Sequence, residues 1–157
     1  MNGIRVGIGV DVHPVGDDPA RPLVLGGVRF DGPGLVGHSD ADVVAHAAAD
    51  ALLGAAGLGD LGALFPDTDP AHAGADSLLL LADVAARVRA VGWEPANVDC
   101  AVVLESPRLA PHRTAMQEGL SAAVGAAVSV KATRPEALGA LGRGEGIACL
   151  AVALVQR

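Results

Sequence analysis

Aromatic side chains are nearly missing from this chain, which has two Phe, one Trp and no Tyr among 157 residues. A protein that holds single-stranded nucleic acid by stacking needs such rings. Positive charge is scarce as well: 11 Lys and Arg stand against 18 Asp and Glu, a net charge of −7, with no basic run. Without a basic face there is nothing to grip a nucleic-acid backbone, so no nucleic-acid partner is expected. A small anionic ligand remains open, because a few local cations or a metal override the overall sign. Long apolar runs are absent too. Each is interrupted by Asp, Arg or Gly well short of the roughly 20 residues that cross a bilayer. The start, Met1 to Gly7, lacks the apolar stretch of a secretory signal. No membrane span and a cytoplasmic location are therefore expected. The two cysteines, Cys100 and Cys149, form no Cys-x-x-Cys pattern and read as reduced, buried thiols.

What the chain does have is small aliphatic residues. Apolar residues make up 51% of it and charged residues 18%, a globular composition whose Ala, Val and Leu permit close helix–sheet packing. Its length suits a single domain, residues 1–157. Arg5 to Val12 reads as a strand, and Leu23 to Phe30 as a hairpin turning at Gly26-Gly27. Ser39 is placed as the cap of a helix that runs to about Ala56 and ends at Gly57. Asp76 or Ser77 caps a second helix ending near Gly92. Val98 to Leu104 reads as a strand, Pro111 to Val124 as a helix and Ala127 to Ala132 as a strand. A helical turn at Pro135 to Leu138 is stopped by Gly139, and Gly142 to Gly146 is a loop. Ile147 to Val155 is apolar enough for a sheet centre. The expected fold is α/β, an α+β sandwich: a mixed sheet with helices packed on one face.

Three residues carry the first chemical signal. Asp11 and His13 share one face at a strand end, and His46 lies within the first helix. Three nitrogen and oxygen donors with one open position form the pattern of a catalytic zinc site. A polar strand end and a packed helical His would leave the same trace, and spacing does not choose between them. Asp42, His46 and Asp50 recur every four residues and so share a helix face, which suits either a cation or ordinary solvent. His38 and Ser39 at the helix start could seat a phosphate, or Ser39 could simply cap. Lys131-Ala132-Thr133-Arg134-Pro135-Glu136 combines two cations, a hydroxyl and a carboxylate. It could hold a phosphate and, through Glu136, a hard divalent ion. Glu105-Ser106-Pro107-Arg108-Leu109 adds a cation beside a turn. Each of the last two also reads as a solvated loop.

Taken together, these segments resemble the 2-C-methyl-D-erythritol 2,4-cyclodiphosphate synthase family over almost the whole chain. The likeness runs through Gly9-Val10-Asp11-Val12-His13, His38-Ser39-Asp40-Ala41-Asp42, His46, Leu58-Gly59-Asp60, Leu64 to Pro70, Gly74-Ala75-Asp76-Ser77, Lys131-Ala132-Thr133 and Gly142 to Ala148. The resemblance implies a metal-dependent phosphoryl transfer within 4-diphosphocytidyl-2-C-methyl-D-erythritol 2-phosphate, giving the cyclic diphosphate and CMP in non-mevalonate isoprenoid synthesis. It implies one zinc per subunit at Asp11, His13 and His46, and Mg2+ or Mn2+ with the diphosphate at Glu136. His38, Asp60, Thr133 and Glu136 would be the catalytic positions. Asp11, His13, His38, Ser39, Asp60, Gly62, Phe65, Asp67 and Asp69 would line the substrate's phosphate and erythritol end. Pro107, Arg108, Leu109, Ala132, Thr133 and Arg134 would hold its nucleotide end, and Arg143 would be a further substrate-binding residue, lying toward a central cavity. The family implies a homotrimer with sheets around a threefold axis and shared active sites.

Two positions depart from the family pattern. Arg134-Pro135 follows Lys131-Ala132-Thr133 where members carry a second Thr, and Ala41 replaces the Gly of an Asp-Gly-Asp. Two rivals use the same residues. One is a zinc hydrolase of nucleoside diphosphates that activates water. The other is a trimeric module holding an isoprenoid phosphate on the threefold axis through Arg143 and Glu145, a pair that also reads as a structural ion pair.

Overall fold

Six strands and five α-helices make up the computed structural model, which describes residues 3–157. The reading of the chain's start rests partly on Met1 and Asn2, which lie outside the described residues. In chain order the elements are β1 (Ile4–Pro14), β2 (Leu23–Leu25), β3 (Val28–Phe30), α1 (Val43–Ala56), α2 (Leu61–Leu64), α3 (Ser77–Ala90), β4 (Glu94–Val103), α4 (Arg113–Val124), β5 (Ala127–Thr133), α5 (Gly139–Gly142) and β6 (Gly146–Gln156). One mixed sheet has the order β1-β6-β4-β5. The β1/β6 and β6/β4 pairs are antiparallel and β4/β5 is parallel. The apolar strand β6 therefore lies inside the sheet, as its composition suggested. The hairpin β2-β3 stands apart, with both turn residues left-handed (Gly26 φ 59°, Gly27 φ 75°), as a two-residue type I′ turn requires.

Helix packing follows from small side chains. On one face of the sheet β1 presents Gly7 and Gly9, and β6 presents Cys149, Ala151, Ala153 and Val155, all fully buried. Helix α1 settles onto this face so closely that a Cβ on Gly7 would lie 2.0 Å from the Ala51 carbonyl oxygen. One on Gly9 would lie 2.0 Å from that of Ala47. α3 and α4 cover β4 and β5 beside it. α1 is buried almost all round; only His46, Asp50 and Gly54, three residues in one i, i+4, i+8 line, are not. Both cysteines are free and buried.

Among the described residues, no helix covers the other face of the sheet. Ile4, Val6, Ile8, Val10 and Val12 of β1 are 56–66% exposed, and Leu150 and Val152 of β6 lie beside them. Strand alternation puts these residues opposite the helix side, and they make an unusually large apolar stripe for a free surface.

Three local expectations are corrected. The first helix starts at Val43, not Ser39, because Ala41 turns left-handed (φ 58°) and Asp42 becomes the cap. Its carboxylate accepts from Val44 N and Ala45 N at 3.0 and 3.2 Å. Residues 135–138 are no helical turn, because Glu136 and Ala137 both have positive φ (53° and 59°). Leu138 N closes a tight turn onto Pro135 O, and Gly139 opens α5 rather than stopping a helix. The third helix begins as a 3-10 turn at Ala110–His112 and is α-helical from Arg113.

Candidate metal and phosphate site

The Gly7/Gly9 groove fixes the centre of the site. It carries α1 along β1 until His46 stands over the strand's last polar residues. His46 Nδ1 and His13 Nε2 each lie 3.1 Å from Asp11 Oδ2. The three donor atoms lie within 4.8 Å of one another, and this is the only such cluster of three among the described residues.

The remaining ring nitrogens are committed elsewhere. His13 Nδ1 donates to the Val36 carbonyl at 2.6 Å. His46 Nε2 lies 2.8 Å from Ser77 Oγ and 3.1 Å from Ser39 Oγ. With its Nδ1 proton on Val36, His13 keeps Nε2 as the nitrogen that can ligate a metal, and His46 turns Nδ1 toward the same Asp11 carboxylate. Burial pushes the Asp11 carboxyl upward, but hydrogen bonds to His13 and His46 outweigh it and hold the group well below the usual carboxylate range. The hydrogen bond to Asp11 raises His13. A carboxylate kept ionised between two imidazoles suits a divalent cation, so the donor set fits a metal.

These residues open onto a cavity of about 490 Å³ that includes His38, Ser39, Asp50, Gly62, Phe65, Asp67 and His72. Arg21 clamps the segment before α1, donating to the Leu35 carbonyl and, at 2.6 Å, to the Ser39 carbonyl. His38 Nε2 donates to the Asp69 carbonyl at 2.8 Å, tying this segment to the loop after α2. Asp50 accepts from Leu61 N at 2.7 Å, and burial raises its carboxyl.

Other sequence candidates stand elsewhere. Asp42 does not share the cation-facing line; it points inward, is fully buried, and accepts from Gly26 N and Gly27 N at 2.8 and 2.7 Å. Because its carboxylate also takes the first free N–H groups of α1, the phosphate seat expected there from the helix start is closed. Asp60 caps α2 through Ala63 N, and Asp69 caps the 3-10 turn Pro70–His72; neither lines the cavity wall. Sequence reasoning took Ser77 only as a helix cap and passed over Arg21 and His72. A single Arg in a Pro-rich loop carries no spacing signal, and pairing Ser77 with His46 requires the tertiary fold.

A second cavity, about 430 Å³, lies at the far edge of the sheet. It brings together Pro107, Arg108 and Leu109 with Ala132, Thr133 and Arg134. Arg134 pairs with Glu105 at 2.6 Å, and Lys131 with Asp99. Glu136 is exposed beyond this cavity's lining, while Arg143 forms an exposed pair with Glu145 at 2.5 Å. Register places the two cavities on one level: His13 pairs with Ile147, and its neighbour Ala148 pairs with Val103, which pairs with Thr133. Three strand spacings of about 4.8 Å separate them by roughly 14 Å.

Known proteins share this fold. The chain is 55% identical to the 2-C-methyl-D-erythritol 2,4-cyclodiphosphate synthase of Azoarcus sp. (strain BH72), covering 98% of this chain and 96% of that one. The bifunctional IspDF of Campylobacter jejuni superposes with a TM-score of 0.93 at 42% identity; the match covers 99% of this chain and 43% of that longer one. Plasmodium falciparum IspF, solved as a CDP complex, superposes with a TM-score of 0.84 at 31% identity, covering 99% of this chain and 97% of that one. The YgbB family model matches residues 4–156, and the chain belongs to the YgbB family.

Proposed function

We propose that this chain is a 2-C-methyl-D-erythritol 2,4-cyclodiphosphate synthase, a phosphorus–oxygen lyase of isoprenoid precursor synthesis. It converts 4-diphosphocytidyl-2-C-methyl-D-erythritol 2-phosphate to the cyclic diphosphate and CMP. The observation that carries this reading is the pair of half-sites: a metal-binding triad at the β1 edge and a nucleotide-sized cavity at the β5 edge. A relative of the same fold is solved with CDP.

The reaction demands little acid–base chemistry. The attacking 2-phosphate is already ionised near neutral pH, with a second pKa of about 6. It forms a bond to the β-phosphorus as the bond to CMP breaks, so the protein must align the groups and offset their charge. A divalent ion such as zinc, held by Asp11, His13 and His46, would polarise a phosphate oxygen and neutralise charge there. Glu136 would give one carboxylate to Mg2+ or Mn2+, ions that take most other ligands from phosphate and water. His38 and Ser39 face the same cavity and would orient phosphate oxygens, with Thr133 doing so from the other half-site. Asp60, which uses one oxygen on Ala63 N, would offer the other to the erythritol hydroxyls as the Phe65–Asp69 loop closes. Pro107 to Leu109 and Ala132 would hold the cytosine and ribose.

The half-sites lie at opposite edges of one sheet, and an apolar stripe covers its helix-free face. Both features are accounted for by a homotrimer with the three sheets around a threefold axis, the β1 edge of one copy meeting the β5 edge of the next. Arg143 and Glu145 then act as a structural ion pair near the axis. The reaction places the enzyme in the cytoplasm, and among the described residues no helix is long and apolar enough to cross a membrane.

Phosphorus NMR of the protein with the cytidylated substrate, Mg2+ and Zn2+ tests the reaction. A cyclic diphosphate with CMP is expected; linear phosphates would point instead to the hydrolase. Mixing His46→Ala with Glu136→Ala chains should restore part of the lost activity through hybrid sites. Absence of rescue despite demonstrated subunit exchange would rule out sharing.

A further inference from the structure

The geometry points to Asp40 and Ser77 as a positioning pair that fixes His46 for metal binding. Ser77 opens α3 and is 1% exposed, too buried to meet a ligand directly. Its hydroxyl lies 2.8 Å from His46 Nε2 and also contacts Asp40 Oδ1. Asp40 has no proton to give in its ionised form, so the Ser77 hydroxyl donates to Asp40. The lone pairs of Ser77 Oγ are then left to accept from His46 Nε2–H. That assigns the proton to Nε2 and the bare nitrogen to Nδ1, which faces Asp11 at 3.1 Å.

The carboxylate is itself held in place. Asp40 Oδ2 accepts from Ser77 N at 3.1 Å and Oδ1 from Asp42 N at 3.2 Å, while Asp40 N donates to the Ala75 carbonyl at 3.0 Å. The loop before α1 is thereby locked to the start of α3. Metal-ligating imidazoles commonly donate their other N–H to a carboxylate, which fixes ring orientation and strengthens the ligating nitrogen. Here a serine stands between the ring and the carboxylate. Ser39 Oγ, 3.1 Å from His46 Nε2, is a weaker alternative acceptor because it already accepts from Ala41 N at 3.1 Å. His13 has a simpler support, the Val36 carbonyl, so the two imidazoles are held by different means. Only the hold on His46 can be removed by changing a side chain.

This inference rests on Asp11, His13 and His46 being metal ligands, and not on the reaction proposed above. The test is zinc affinity of the full-length protein by chelator competition, with ring-nitrogen NMR of histidine-labelled protein. Wild type loaded with zinc should show the His46 proton on Nε2. Ser77→Ala should lower zinc affinity by about tenfold or more, with an unchanged far-ultraviolet spectrum, and Ser77→Thr should restore it. Asp40→Asn, which keeps the shape but removes the charge, should fall in between. A wild-type His46 proton on Nδ1 overturns the proposal whatever the variants do, including a Ser77→Ala chain that fails to fold. So does unchanged zinc affinity in Ser77→Ala. A wild type that binds no zinc overturns the metal reading itself.

Discussion

The two edges of the sheet build their half-sites by opposite means. At the β1 edge the geometry is set by backbone. Two glycines let α1 sit against the strand, and a backbone carbonyl and serine hydroxyls behind the site hold the half-buried imidazoles. At the β5 edge it is set by surface side chains, with Arg134 against Glu105 just past the strand ends and Lys131 against Asp99 on β5 and β4 themselves. A buried arrangement has few alternatives and is costly to disturb. Exposed ion pairs are individually weak and screened by salt. The first half-site should therefore fail abruptly when its backbone contacts are changed, and the second should yield by degrees.

The largest effect is expected at Gly9→Ala. The added carbon would meet the Ala47 carbonyl at 2.0 Å, an oxygen fixed within a helix. α1 must lift and carry His46 from Asp11, so stability should fall by about 3 kcal/mol or more and bound metal should be lost. Denaturant unfolding with metal analysis measures both; near-normal values for either would show that the close approach does not set the site. A pH series on chelated protein sharpens the same half. Asp11 is lowered on folding, so its contribution is present above its unfolded value of about 3.9 and lost as pH falls through the folded one. His13 is raised, so its contribution is present below about 6.5 and lost as pH rises through its folded value. The melting-temperature difference between wild type and Asp11→Asn should thus be greatest between about pH 4 and 6.5. A difference that stays flat from pH 3 to 9 would deny the ion pair.

At the other edge, Arg134→Thr should change the rate of CMP release less than about tenfold. The arginine chiefly neutralises Glu105, whose carboxyl its hydrogen bond holds low. A larger loss would make Arg134 a direct phosphate ligand. The smallest effect is expected at Ala41→Gly, on the loop leading into α1. Ala41 is left-handed at φ 58°, a strain that glycine relieves, offset by glycine's greater chain entropy. A net gain of about 0.5 kcal/mol should appear in denaturant midpoints with metal binding unchanged. A loss would mean that the buried methyl matters more than the strain.

What the sequence disclosed follows the same division. Asp11, His13 and His46 were legible because strand and helix periodicities put them on facing sides, and regular elements kept those periodicities. Ser39 is not the cap that its position suggests, because a left-handed alanine is hard to foresee; it moves the cap to Asp42 and the helix start to Val43. That change also turned Asp42 inward, to a hairpin sixteen residues away that no local pattern connects to it. The 135–138 turn failed likewise: proline suggested a helical start, but two left-handed residues after it reversed the chain. The apolar stripe on β1 could not be told from core by composition, since alternation sets Ile4, Val6, Ile8, Val10 and Val12 against a face of Arg5, Gly7, Gly9, Asp11 and His13, and only the packed helices reveal that the glycine face is the covered one.

Helix α1 leaves only three residues in one line unburied, and this has a consequence for how the protein breathes. Amide hydrogens of such a helix have no partial opening that spares the core, so they should exchange with solvent only when the whole domain unfolds. His46 rides on that helix, and its placement over Asp11 is therefore as long-lived as the native state. The 134–139 turn, exposed and held by one ion pair and a few backbone bonds, can open many times in the same interval. The His46 end of the candidate site keeps a fixed address while the distant 134–139 turn comes and goes.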